Sequence, residues 1–136
     1  AAREQVAALV NARPGEVVFT SGATEANTFA INGRPWRALL VGNAEHSAVL
    51  APARRSNAPR LELPCRSDGV QDLSGVEAWA AALPQSDQPA FASLALANGE
   101  TGVVQPVADL VAMLTPFGVV VHSDAVQATG RIAVDF

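Results

Sequence analysis

The sequence predicts an α/β fold: a mostly parallel sheet with helices on both faces. Two observations carry this reading. The apolar runs Ala38-Leu39-Leu40-Val41, Phe91 to Ala97 and Val119-Val120-Val121 are continuous rather than alternating, as expected of strands covered on both faces. Between them lie stretches with apolar residues at helical spacing, so strand and helix alternate along the chain.

Taken in order, Val6, Leu9 and Val10 share one face of a helix over about residues 2–12. Pro14-Gly15 turns the chain into a short strand, Val17-Val18-Phe19. Thr24 to Ile31 is helical and stops at Asn32-Gly33 and Pro35. After the strand 38–41, Ser47 caps a helix running to about Arg55. Leu61-Glu62-Leu63 is a strand before Pro64, and Gly69 marks a turn. Leu73, Val76, Trp79, Ala80 and Leu83 form a helical stripe. Phe91 to Ala97 is strand, Val107 to Leu114 helix and Val119 to His122 strand. Ile132 to Phe136 reads as a last strand, and both ends of the chain read as cut through a larger fold.

Composition narrows the classes. At 136 residues one domain is expected, and 49% hydrophobic with 16% charged residues describes a packed chain rather than a disordered one. A net charge of −4 and no basic cluster larger than Arg54-Arg55 speak against a nucleic-acid surface. No apolar run reaches the length of a membrane span. Residue 1 opens an amphipathic helix rather than a signal peptide, so the cytoplasm is the expected location. The single Cys65 excludes an internal disulfide and fits a reducing compartment. All nine basic side chains are Arg; Lys and Tyr are absent. There is no internal repeat, and the loose stretches Ala53 to Arg60 and Pro84 to Pro89 are too short for domain linkers.

Four segments carry candidate chemistry, each following a strand. Ser21-Gly22-Ala23-Thr24 passes from strand to helix. Gly and Ala leave the first helical N–H groups uncovered, where the helix dipole favours an anion; the alternative is a plain helix cap at Thr24. It is not a Walker loop, because that spacing and its Lys are missing. Ala44-Glu45-His46-Ser47 follows the strand 38–41, and His46 there serves to stack on a flat ring or move a proton, or is simply a surface His near a helix start. Metal binding has little support, since His46 and His122 are the only histidines and share no ligand spacing.

Asp124 ends the apolar strand, a costly place for a carboxylate without a cation or strong donors. The alternative is an Asp that caps the following turn. Gln127 lies three residues on and reaches the same ligand or only solvent. Asn98-Gly99-Glu100-Thr101-Gly102 is a loop whose glycines permit close backbone approach, or a plain turn. A phosphate site and a partner for a protonated ring nitrogen together suit pyridoxal phosphate (PLP), whose enzymes also need a Schiff-base lysine.

With these residues in hand, the chain resembles the cysteine desulfurases of the class V aminotransferase family, in the branch that feeds iron–sulfur cluster assembly. Phe19-Thr20-Ser21-Gly22-Ala23-Thr24-Glu25-Ala26-Asn27 is similar to the family's phosphate-binding turn, and Ala44 to Leu50 to its His segment. Asn98 to Pro106 is similar to its Asn-Asn-Glu-Thr-Gly loop, and His122 to Gly130 to its Asp–Gln segment. The resemblance implies that residues 1–136 are part of the PLP-binding large domain of a fold-type I enzyme. It implies that Gly22, Ala23 and Thr24 bind the phosphate and that His46 lies over the ring as the catalytic proton carrier. Asp124 pairs with the ring nitrogen, Gln127 approaches the ring hydroxyl and Asn98 helps hold the cofactor.

The implied reaction takes sulfur from L-cysteine onto a mobile enzyme cysteine and leaves L-alanine. The implied partners are a sulfur-acceptor or scaffold protein and a second copy of the chain, as a homodimer. The Schiff-base lysine, the persulfide cysteine and the small domain are expected after Phe136, so residues 1–136 alone are expected to be inactive. Gly99 stands where the family loop has its second Asn, and Cys65, beside Pro64, is expected to be a bystander. The competing readings are a class V aminotransferase, a selenocysteine lyase, or a catalytically dead binding or assembly module.

Overall fold

The computed structural model describes all residues 1–136. Its nine regular elements are α1 (Ala2–Leu9), α2 (Ala23–Asn32), β1 (Leu39–Gly42), α3 (Ser47–Arg55), β2 (Arg60–Leu63), α4 (Val76–Ala81), β3 (Phe91–Ser93), α5 (Val107–Leu114) and β4 (Val120–His122). The four strands are all parallel, in the order β2-β1-β3-β4. The expected parallel sheet is therefore present, with helices on both faces.

The side-chain alternation of the strands divides the core in two. Ala38, Leu40, Leu63, Ala92, Leu94 and Val119 face α4 and α5, where they pack with Val76, Ala80, Leu110 and Leu114. Leu39, Val41 and Phe91 face the other way, onto Ile31 of α2 and Val49 and Ala53 of α3. β1 and β3 are fully buried because both faces are covered, which is why they read as unbroken apolar runs.

The topology sets the position of the site. From β1 the chain crosses through α3 to β2 on one side; from β2 it crosses back through α4 to β3 on the other side of β1. Crossovers of one hand must change face when they change direction, so α3 lies on one face while α4 and α5 lie on the other. The loops after β1 and β3 consequently part, and the crevice between them is where parallel sheets bind ligands.

Two expected strands do not form. Val17 to Phe19 is extended but unpaired, with Val18 78% and Phe19 57% exposed; β propensity alone does not hold a strand that has no neighbour. Ile132 to Phe136 makes no strand either; Thr129 and Ile132 form one isolated bridge, and Phe136 is 80% exposed. The first helix ends at Leu9 rather than near residue 12, and of its residues only Ala7 is buried. β3 is shorter than expected because the ladder stops at Ser93. Leu94 and Leu96 continue alongside β4 only through single hydrogen bonds to the His122 and Asp124 carbonyls. No helix is long and apolar enough to cross a membrane.

Candidate functional site

Every sequence-predicted site residue except Gly22 lines one cleft at the C-terminal ends of β1, β3 and β4. The cleft holds about 190 Å³ and is walled by Ala23, Thr24, His46, Asn98, Asp124 and Gln127, with Glu45 and Gly99 among the rest. That is below the ~300–1,000 Å³ of a pocket that buries a whole small molecule.

The α2 end is built for an anion. The helix starts at Ala23 with Gly22 as its N-cap, two residues earlier than a cap at Thr24. The N–H groups of Ala23, Thr24 and Glu25 have no backbone acceptor, as the first turn of a helix requires. The Glu25 carboxylate folds back to accept the Ser21 N–H at 2.6 Å, and Thr20 Oγ1 donates to the Gly22 carbonyl at 3.0 Å. These contacts fix the entry to the helix and leave its first N–H groups and the Thr24 hydroxyl without protein partners.

His46, not Ser47, is the N-cap of α3. Its Nδ1 accepts the Ala48 N–H at 3.1 Å. In the neutral ring the proton therefore sits on Nε2, which makes no hydrogen bond within the protein. The backbone cap holds the imidazole at the mouth of the cleft, where its exposed ring is available to a ligand.

Asp124 is held from two sides. Asn27, only 4% exposed in α2, donates from Nδ2 to Asp124 Oδ2 at 2.8 Å, and the Val126 N–H donates to Oδ1 at 3.1 Å. The second bond is the turn-capping role weighed as an alternative; both roles coexist, because a carboxylate has lone pairs for both and for a ligand.

Asn98 is turned inward upon its own loop. Its Nδ2 donates to the Ala44 carbonyl at 3.1 Å, and its Oδ1 accepts from the N–H groups of Glu100 and Thr101. It ties the loop after β3 to the turn after β1, and it shapes the cleft wall with hydrogen bonds already made. Gln127 is exposed, with no side-chain hydrogen bond, and lies against Gly99: a Cβ there would come within 3.1 Å of Gln127 Cγ and 3.3 Å of Nε2. Cys65 is exposed in the 65–71 turn and is not part of the cleft wall.

Three residues with no assigned role in the sequence reading are linked here: Glu45 in the cleft wall, and Ser93 and His122 behind it. Glu45 is 6% exposed; its Oε1 accepts from Ser93 Oγ at 3.2 Å, and its Oε2 has no partner. Burial pushes the Glu45 carboxyl up to about 7, against the opposing pull of the Ser93 hydroxyl and the Ala95 N–H, and the nearby Asp124 charge raises it further. Ser93 Oγ is 2.9 Å from His122 Nδ1, and the His122 ring stacks on Phe91 with centroids 5.6 Å apart. Burial holds His122 below the usual imidazole range, with Asp124 pulling it upward. A polar residue inside an apolar strand, as Ser93 and His122 are, was the available signal. Asn27 offered a weaker one, an amide on the core-facing side of a helix. No group of three or more His, Cys, Asp or Glu is placed to hold a metal ion.

The residues present fit a phosphorylated cationic ring. The unpartnered helix N–H groups suit the anion, and the Asp124 carboxylate, oriented by two donors, suits the cation. The family model described as aminotransferase class-V matches residues 1–136. Cysteine desulfurase IscS of Dechloromonas aromatica is 40% identical over 98% of this chain and 34% of its own length. The chain thus spans about a third of the curated relatives it matches. A NifS-like protein from Rickettsia africae superposes with a TM-score of 0.87 at 25% identity, over 98% of this chain and 37% of that one. A structure described as SspA in complex with cysteine gives 0.85 at 27% identity, over 98% and 40%.

Proposed function

The chain belongs to the class V aminotransferase family, and on that premise we propose that it is the cofactor-gripping part of the large domain of a PLP-dependent cysteine desulfurase. The observation that carries this is the pairing, across one cleft, of the free N–H groups at the start of α2 with the Asp124 carboxylate. In this reading Gly22, Ala23 and Thr24 bind the phosphate. Asp124, oriented by Asn27, keeps the ring nitrogen protonated. Gln127 lies toward the ring hydroxyl, and Asn98 holds the loop that closes one side.

When bound, PLP supplies an electron sink for the pair released at the substrate's α-carbon. His46 stacks over the ring and moves a proton through Nε2, the nitrogen that the Ala48 bond leaves unengaged. The substrate is L-cysteine and the products are L-alanine and sulfur passed to an acceptor or scaffold protein that builds iron–sulfur clusters. The names of the relatives and the cysteine-bound neighbour support this choice. The assembly is a cytoplasmic homodimer. No Lys occurs among these residues, so the lysine that anchors the cofactor and the cysteine that accepts sulfur are supplied from elsewhere in the protein. Residues 1–136 alone form the grip without the turnover.

The test is the full-length protein incubated with PLP and L-cysteine. Alanine and persulfide in equal amounts are expected. Amino-group exchange with a keto acid and no sulfur release would make it an aminotransferase, and a preference for selenocysteine would make it a lyase. Failure to bind PLP would leave the binding-module reading.

A further inference from the structure

Ser93 and His122 are the last residues of β3 and β4, and Glu45 lies in the turn after the adjacent strand β1. They are 48 and 29 positions apart in sequence and joined by hydrogen bonds of 3.2 and 2.9 Å. Ser93 is fully buried, and Glu45 borders the ligand cleft with Oε2 unpartnered. A buried carboxylate with an empty lone pair is costly unless it holds a proton or meets a donor.

The hydroxyl between the two end groups has one proton to give, so the chain has two consistent directions. If Glu45 is ionised, Ser93 donates to it, and His122 must donate to Ser93 from Nδ1. If Glu45 holds its proton on Oε1 and donates it to Ser93, then Ser93 donates to His122 Nδ1, and the ring carries its proton on Nε2. Passing from the second arrangement to the first releases one proton to solvent and exchanges Nε2–H for Nδ1–H.

We propose that Glu45, Ser93 and His122 form a reversible hydrogen-bonded chain that stores one proton at the back of the cleft, with Glu45 the positioning residue that keeps a second negative charge away from Asp124. The meaning for the ligand rests on the reading of Asp124 given above. Two ionised carboxylates at one small site repel, and one of them keeps its proton. Glu45 is the one that does so, because it is the more buried. Burial, with a smaller push from the Asp124 charge, raises it to about 7, whereas Asp124 accepts hydrogen bonds from Asn27 and the Val126 N–H. The groups around Glu45 are Ser93 and the Ala95 N–H from the β3 side, His122 and Asp124 from the β4 side, and His46 next to it in the chain. Asp124 is the one charge that bears on its titration.

The experiment is ¹⁵N NMR of the histidine rings in the full-length protein, with His122 assigned by its absence in His122→Asn. The expected result is a change of the neutral ring from the Nε2–H to the Nδ1–H tautomer as pH rises through about 7. The step should vanish in Glu45→Gln, which cannot ionise, and in Ser93→Ala, which cuts the chain in the middle. A single tautomer across that range in the wild type, or a step that survives in Ser93→Ala, would overturn the proposal. The readout needs no cofactor. A missing step in a protein that binds PLP overturns the chain alone. A step in a protein that does not bind PLP keeps the chain and overturns the proposed function.

Discussion

Asn27 and Asp124, 97 positions apart, meet in a 2.8 Å hydrogen bond between the buried face of α2 and the end of β4. That bond joins two parts of the cleft: the helix whose start is proposed to receive an anion also orients the carboxylate proposed to receive a cation. A movement of α2 therefore displaces both groups together.

Asp124→Ala in the full-length protein should abolish alanine production from cysteine. It also leaves the buried Asn27 amide without an acceptor, at about 1–3 kcal/mol of stability. Turnover assays and a denaturant melt measure the two effects. Near-normal turnover would remove Asp124 from the ring-nitrogen role.

Asn27→Ala should lower PLP affinity about tenfold, the equivalent of one lost bond to a charged group of roughly 1.5 kcal/mol. The loss should be smaller than that of Asp124→Ala, because the carboxylate remains and the Val126 N–H still holds it. Titration of the two variants side by side checks the order.

Thr24→Val keeps the shape of the helix start and removes a hydroxyl that has no protein partner. One missing charge-assisted bond to phosphate should cost about 1.5–3 kcal/mol of PLP affinity. An unchanged dissociation constant would return Ser21 to Thr24 to the role of an ordinary helix start.

Gly99→Asn brings a Cβ to within about 3.1 Å of Gln127 and forces that side chain aside. Its effect on PLP affinity should therefore overlap with that of Gln127→Ala. In a double-mutant cycle the two losses are expected to be non-additive; additive losses would mean that Gly99 acts independently of Gln127.

Glu45→Gln should stabilise the protein at alkaline pH. The folded-state value of about 7 lies above the ordinary 4.5, so folding is most favoured below pH 4.5 and loses that contribution as pH rises through 7. Above 7 the wild type carries the full cost of a buried charge, at most ~3 kcal/mol for this shift. Gln carries none. Chemical denaturation at several pH values should show the variant gaining on the wild type between about 4.5 and 7 and holding that gain above. Parallel stability curves would mean that Glu45 does not titrate in this range.

The sequence by itself determined the parallel α/β class, the order of the elements and most of the cleft wall. The reason is local: continuous apolar runs require cover on both faces, and Thr24, His46, Asn98, Asp124 and Gln127 each lie at a helix start or in the loop after a strand. Only the tertiary structure decided which residues stand behind those. Asn27 reads as one more helical residue until β4 brings Asp124 to it, and Ser93 reads as a polar interruption until β1 and β4 flank it with Glu45 and His122. The same dependence on neighbours explains the expected strands that failed. Val17 to Phe19 and Ile132 to Phe136 have strand-like side chains, but a strand is a property of a pair, and neither finds a ladder partner here.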